Sequence, residues 1–456
     1  MNIPRYTSDG KLFPNSNFKN DIYYKSFNLT DAKKVNNDVY INAIRKVNNS
    51  KTALLKKGYC YIKNIFLEYW EPFKQKYAHQ LTRPAVVKNV EKMIDCENFE
   101  NGFLTFKCEN GCEEYYRSFT CKSRFCPKCG KKYRDMRTVK VANKLIKAPH
   151  RQFVFTIPKE YRRLFRQYRS LLGILFATVN DTFNFILGNN KGIAKKEDRK
   201  LGFISFLHTY GRDMKWNPHL HVLIAERYMN NKNEVKKFSY FPFKKIRKVY
   251  MFKLMTNVYN HLKKIDGISN KELRNLYYTN KYLNSKYTKG FYIFGPRLEN
   301  QSISSIKAIT KYIARYASHP AISERRITNI DYSNNTVTWF YDPHEDDDIL
   351  DEVLKKGRQY ITEPVFEFMK RLIIHIPDDG FQTIRYYGFY SNKTKIKRPS
   401  NLFTVSQLEQ MFQDNYWING LLKSFGYNPL ICNVCGSIMV LSLEDSFIPL
   451  KGGSPP

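Results

Sequence analysis

No apolar run in the 456 residues approaches the ~20 needed to cross a bilayer; the longest, "LLGILFATV", has nine. The opening stretch "MNIPRYTSDGKLFP" lacks the charged-then-apolar layout of a secretory signal. Both absences argue against a membrane-embedded or exported protein, and the chain is read as cytoplasmic. No Gly-x4-Gly-Lys-Ser/Thr loop occurs, which excludes a P-loop nucleotide engine. Acidic residues are few beside basic ones: 41 Asp and Glu against 76 Lys and Arg, a net charge of +35. So basic a surface attracts polyanions, nucleic acid first and an anionic membrane face second. A hydrophobic content of 42% with 15% aromatics excludes a disordered chain and supports at least one sizeable core.

In a reducing compartment clustered thiols read as metal ligands rather than disulfides. Five of the 9 cysteines fall in "CENGCEEYYRSFTCKSRFCPKCG". Cys108 and Cys112 form one chelating pair, Cys126 and Cys129 another, and two such turns facing each other suit one tetrahedral Zn²⁺ in a ribbon. Cys121 and Cys96 are spare, able to replace a ligand or to belong to a second site. Cys432 and Cys435 in "CNVCG" make a further thiolate turn with no neighbouring pair in sequence. Its partners are open: Cys96, Cys60, or another copy of the chain. Cys60 alone is most simply a packed small residue.

The order of elements suggests an α+β fold, an antiparallel sheet with helices on one face. "RQFVFTIP" alternates and stops at Pro158 as a strand does. Residues 161–187 show helical spacing. "LGFISFLHTYG" and "HLHVLIAE" read as strands joined by the turn "RDMKWNP". A basic helical stretch covers about 240–284, "GFYIFGPRL" is a strand and "SSIKAITKYIARYAS" a helix. The acidic run "HEDDDILDE" at 344–352 suits the positive N-terminal end of a helix better than a carboxylate site.

Histidine is rare, at 9 residues, yet His219 and His221 flank Leu220 in "WNPHLHVL". Chance yields such an HxH pattern roughly 0.2 times in this composition. On a strand the two imidazoles point to one side and Leu220 to the other. His208, on the preceding strand, comes opposite them across the turn. Three imidazoles can serve a zinc-bound water or a divalent ion that polarises a phosphodiester. The basic charge favours the phosphodiester. Tyr312 and Tyr316 share one face of the helix "ITKYIARY", with Lys311 and Arg315 in the same turns to meet phosphate oxygens. Tyrosines at that spacing arise about twice by chance from the 33 present, so their context carries the argument. A phosphotyrosine ester would conserve the energy of the broken bond, in keeping with the missing nucleotide loop.

Taken in order, "SFTCKSRFCPKCG", "HRQFVFTIP", "LHTYGRDMKWNPHLHVLIAE", "KYIARYASHPAISERRI" and "EPVFEFMKRLIIHIPDDGFQTIRYYGFY" resemble the HUH rolling-circle transposases of the two-tyrosine type, the "IS ninety-one" insertion-sequence family. The resemblance covers roughly residues 85–400. It implies an HUH nuclease domain behind a zinc ribbon. His219 and His221 would hold a catalytic Mg²⁺ or Mn²⁺, with His208 as a third ligand. Tyr312 and Tyr316 would be nucleophiles that nick and rejoin single-stranded or hairpin DNA of element ends and target, through a 5′-phosphotyrosine. Two positions depart from the pattern: Asn217 before Pro218, and Tyr386, each where many relatives carry histidine. The implied organisation is a basic, mostly helical region at 1–90, the ribbon and a basic helix at 91–148 and the HUH domain at 149–330. A helical and strand extension follows at 331–428, then a CxxC turn and flexible tail at 429–456. A rolling-circle replication initiator shares the same chemistry. An inactive zinc-ribbon DNA-binding relic, or a zinc hydrolase of small molecules, would be a different class.

Overall fold

The computed structural model describes residues 60–188, 198–238, 240–295, 306–316, 320–343, 357–392, 401–408 and 430–448. The acidic run at 344–352, the C-terminal tail and most of the 1–90 region lie outside the described residues.

In chain order the helices are α1 (Tyr61–Tyr77), α2 (Pro84–Ile94), α3 (Pro127–Ala142), α4 (Lys159–Gln167), α5 (Leu171–Ile186), α6 (Phe243–Leu262), α7 (Asn270–Lys286), α8 (Ile306–Tyr316) and α9 (Val365–Ile373). The strands are β1 (Phe103–Cys108), β2 (Glu114–Ser118), β3 (His150–Thr156), β4 (Lys200–Tyr210), β5 (Trp216–Met229), β6 (Val235–Lys237), β7 (Ile293–Phe294), β8 (Ile327–Asp331), β9 (Thr336–Tyr341), β10 (Gln359–Pro364), β11 (Ile384–Tyr387) and β12 (Met439–Phe447).

The fold is α+β, as the element order suggests. A central antiparallel sheet runs β11-β4-β5-β3-β7, with β6 paired to the far end of β5. The long β4–β5 hairpin sets the register: His208 lies opposite His219, Leu207 opposite Leu220, and Phe206 opposite His221. Leu220, Val222 and Ile224 turn to one face, where they meet Phe153 and Phe155 of β3 and the apolar sides of α4, α5, α6 and α7. The intervening residues Leu223 and Ala225 turn to the other face, with Ile204 and Phe206 of β4. They pack there on Val141 and Ala142 of α3 and on Ile309 and Ile313 of α8.

Helices therefore cover both faces, not the one face expected. The reason is written in the strands themselves. "LGFISFL" and "VLIA" are nearly continuous apolar runs, and a strand buried on both sides cannot alternate. The helix expected over 161–187 is two helices, α4 and α5, parted at 168–170. The segment assigned to a C-terminal extension also contributes to the central sheet: Ile384–Tyr387 pairs antiparallel with Phe203–Phe206.

A second core joins α1, α2 and α9 to the small sheet β10-β9-β8 around Phe66, Trp70, Phe73, Trp339 and Phe368. It grips the tip of the β4–β5 hairpin. Met214 there has φ +58, an uncommon conformation for a non-glycine residue. Complete burial in the second core and a hydrogen bond from His375 Nε2 to its carbonyl (3.0 Å) hold it in place.

Leu220 is fully buried between β3 and the helices behind it. Leu220→Asp places a charge there without a partner, at a cost on the order of 4 kcal/mol or more. Its chemical-denaturation midpoint is expected to fall sharply, whereas Leu220→Met stays near wild type.

Candidate active site and metal centres

Because side chains alternate along β5, His219 and His221 emerge together on the α8 face of the sheet, and the hairpin register adds His208. One ring nitrogen from each lies within 4.8 Å of the others, and His219 Nε2 is 3.1 Å from His221 Nε2. His219 Nδ1 donates to the carbonyl of Asn217 at 2.7 Å. That bond fixes the tautomer and leaves the Nε2 lone pair aimed into the cluster. Asn217, one of the departures from the family pattern, thus contributes through its backbone.

Burial lowers the pKa of His219, and lowers that of His221 well below the usual histidine value, with the positive ends of His208, His219 and Arg315 adding to the shift. Near neutral pH these imidazoles are free bases, the form that donates to a metal. The donor chemistry fits a divalent ion: three imidazoles converge, and His219 turns its Nε2 lone pair inward.

Helix α8 lies over the cluster. The Tyr316 ring stacks on His221 with centroids 3.8 Å apart and an interplanar angle of 24°. Its backbone carbonyl accepts a hydrogen bond from His208 Nε2 at 3.1 Å, so the histidine strand holds the last turn of the helix. Tyr312, one turn back, sits 4.6 Å from Tyr316, ring centroid to ring centroid. It is buried against Phe206, and its hydroxyl has no protein partner among the described residues. Burial holds the Tyr312 phenol well above its ordinary pKa, and Tyr316 adds to the shift. The two tyrosines are thus not equivalent. One touches the histidines; the other is sealed in the core. Lys311 and Arg315 are both exposed on the same helix.

A cavity of ≈ 410 Å³ opens beside this cluster and is lined by His208 and Tyr316. Arg124, Lys131 and Arg134, from α3 and the loop before it, form part of its wall, with Arg325 from the far side. Sequence reasoning missed these residues. Their signal was the basic character of the helix that begins within "CPKC" and of the residues just before it. His375, in the same wall, accepts from Thr209 Oγ1 (3.0 Å) while donating to Met214, which makes it a neutral brace.

The thiols partition differently from the expected quartet. Cys108 and Cys112 do not meet Cys126 and Cys129. Cys126 and Cys129 instead gather with Cys96 and Cys121, while Cys108 and Cys112 gather with Cys432 and Cys435. In the first cluster Cys129 Sγ lies 3.7 Å from Cys96 Sγ and 3.6 Å from Cys121 Sγ. The Cys121 amide donates to Cys96 Sγ and the Ser123 amide to Cys121 Sγ, each at 3.4 Å. Four sulfurs supported by amides suit a tetrahedral zinc. Cys60 stands apart from both clusters, with its thiol 3.5 Å from Glu324 Oε1.

Two histidines away from the cluster, His150 and His375, give the fold an acid limit. His150 donates to the Ala148 carbonyl and accepts from the Tyr390 hydroxyl, so it is held neutral. Burial lowers His150 and His375 to about 4. Each group binds its proton more readily when the chain is unfolded. Stability is therefore fully present above ~6.5 and lost as pH falls toward 4, on the order of 2 kcal/mol for each of these two histidines. Denaturant melts at pH 7.5 and 4.5 should show this loss, and His375→Gln should reduce it.

Comparison with known proteins identifies two matching family models. The family model described as "Transposase zinc-binding domain" matches residues 65–157, and the one described as "Putative transposase" matches residues 202–398. The chain is 25% identical over 406 residues to the transposase for insertion sequence element IS801 of Pseudomonas savastanoi pv. phaseolicola, covering 86% of this chain and 91% of that relative. It is 22% identical over 344 residues to "Putative transposase y4qJ" of Sinorhizobium fredii (strain NBRC 101917 / NGR234), covering 73% of this chain and 80% of the relative. No solved structure matches. Among the described residues no helix is long and apolar enough to cross a membrane. The two matched domains, in this order along one chain, make the protein a transposase of the IS91 family, with its zinc-binding domain ahead of the transposase domain.

Proposed function

We propose that the chain nicks and rejoins single-stranded DNA at the ends of its element through a 5′-phosphotyrosine, with Tyr316 as the first nucleophile and Tyr312 as the second. The observation that carries this reading is the contact of Tyr316 with His221, beside three converging imidazoles. His219, His221 and His208 would hold a Mg²⁺ or Mn²⁺ ion, which when bound supplies polarisation of the scissile phosphate.

The Tyr316 oxygen attacks phosphorus in line. The P–O3′ bond breaks, the tyrosyl proton passes to solvent, and the departing 3′-oxygen is protonated to a hydroxyl. The new ester keeps the bond energy, so the 3′-hydroxyl of another strand can reverse the reaction without a nucleotide cofactor. His208 positions the nucleophile by holding the Tyr316 carbonyl. Arg315 and Lys311 meet phosphates flanking the break. Tyr312 acts after α8 shifts enough to expose its hydroxyl.

The cationic cavity wall from α3 carries the strand from the zinc-binding domain to the histidines, largely through phosphate contacts. A protein of net charge +35 is expected to lose affinity steeply with salt, on the order of 10³-fold between 50 and 200 mM. Fluorescence anisotropy with a labelled single strand measures it, and a flat salt response would remove the phosphate-binding basis of this reading. The decisive assay incubates the protein with labelled single-stranded element ends, with and without Mn²⁺. A covalent adduct formed only with the metal is expected.

A further inference from the structure

The transposase zinc-binding match ends at residue 157, and the second match ends at residue 398. Residues 430–448 lie beyond both, yet they fold back onto the first domain. Strand β12 pairs antiparallel with β1, Met439 opposite Cys108 and Phe447 opposite Phe103, so that the three-stranded ribbon β12-β1-β2 is built from chain segments more than 300 residues apart.

The ribbon is thinly supported. Among the described residues its local core at the cysteine end is Phe106, Cys108, Cys432 and Met439, flanked by a few half-buried residues. Val440 and Leu443 of β12 stay largely exposed. So little apolar burial does not hold a three-stranded sheet, and small units of this kind need a staple.

The staple is present as four thiols. Cys108 ends β1, and the next turn brings round Cys112; Gly111 there has φ +70 and donates its amide to the Cys108 carbonyl at 2.9 Å. Cys432 and Cys435 lie on a matching turn: the Gly436 amide donates to the Cys432 carbonyl at 3.0 Å, with Gly436 at φ +75. Both turns need a glycine at positive φ to curl the backbone around a sulfur. The Asn110 amide donates to Cys108 Sγ at 3.4 Å, and Cys108 Sγ lies 3.4 Å from Cys435 Sγ. The Asn433 amide donates to Glu113 Oε1 at 2.7 Å, joining the turns outside the sulfurs.

We propose that Cys108, Cys112, Cys432 and Cys435 bind a second Zn²⁺, separate from the ion of the Cys96, Cys121, Cys126 and Cys129 cluster, and that this ion locks the C-terminal segment onto the zinc-binding domain. Two pairs of thiols on opposed turns favour a tetrahedral ion over a single disulfide, which would leave two thiols unused. The two clusters share no ligand, so each fills and empties by itself.

Zinc content decides the matter, and it is read without DNA, so it stands or falls apart from the nicking reaction. Full-length protein purified in reductant is expected to carry two Zn²⁺ per chain by plasma mass spectrometry. Zinc-edge absorption should show about four sulfurs at ~2.3 Å for both. Cys432→Ser with Cys435→Ser is expected to carry one, and its residues 430–448 should be cut early by protease. Cys435→His, which keeps a ligand, should still carry two. One Zn²⁺ per wild-type chain, or a Cys432→Ser/Cys435→Ser protein that retains both ions, overturns the proposal. The wild-type count remains decisive even if the double variant folds poorly.

Discussion

Tyr316→Phe is expected to abolish the covalent protein–DNA adduct while leaving folding and strand binding intact. Phe keeps the ring that stacks on His221 and removes only the oxygen proposed to attack phosphorus. The fall in single-turnover nicking should be on the order of 10³-fold or more, because a lost nucleophile removes the step itself. Tyr312→Phe should behave differently. Its hydroxyl is buried without a protein partner among the described residues, so the variant should be as stable as wild type or more stable by about 1 kcal/mol. It should still make the first nick and fail only in transfer of a second strand. Equal loss of the first nick in both variants would reject the order assigned to the tyrosines.

The second large effect is at the imidazoles. His219→Ala and His221→Ala should each lower nicking on the order of 10²-fold or more, the scale of the several kcal/mol that a polarising ion supplies. Strand binding, which we assign to the cationic wall, should change little. Isothermal titration of Mn²⁺ separates this from a folding defect. Wild type should bind one weakly held divalent ion that each variant loses. A variant that nicks at the wild-type rate with Mn²⁺ present would show the site to be misplaced.

The part of the site legible in the sequence is the part built from short-range geometry. Alternation alone places His219 and His221 on one face and Leu220 in the core. A tight turn then sets His208 opposite His219, and helical spacing aligns Tyr312 with Tyr316. None of this needs knowledge of distant contacts. The unequal burial of the tyrosines was not legible, because it depends on how α8 settles against Phe206 and α3.

The cysteines make the same point more sharply. Spacing identifies a chelating turn and says nothing of which turn it faces. Cys96 follows α2 with no partner nearby in sequence, and Cys432 and Cys435 reach Cys108 only because β12 returns to pair with β1. The set Cys108, Cys112, Cys126 and Cys129 joins the two chelating pairs that are neighbours along the chain, and strand pairing overrides it. The second helical layer had a signal in plain sight: β4 and β5 do not alternate, which marks strands buried on both sides.

The most direct measurement is the identity of the residue joined to DNA. Protein incubated with a single-stranded element end and Mn²⁺ is digested with protease and nuclease, and the adduct peptide is sequenced by mass spectrometry. The predicted result is a nucleotide attached through its 5′-phosphate to Tyr316, with Tyr312 modified only when Tyr316 is already occupied or replaced. A nucleotide on any tyrosine outside this pair, or cleavage that leaves no covalent adduct, would contradict it.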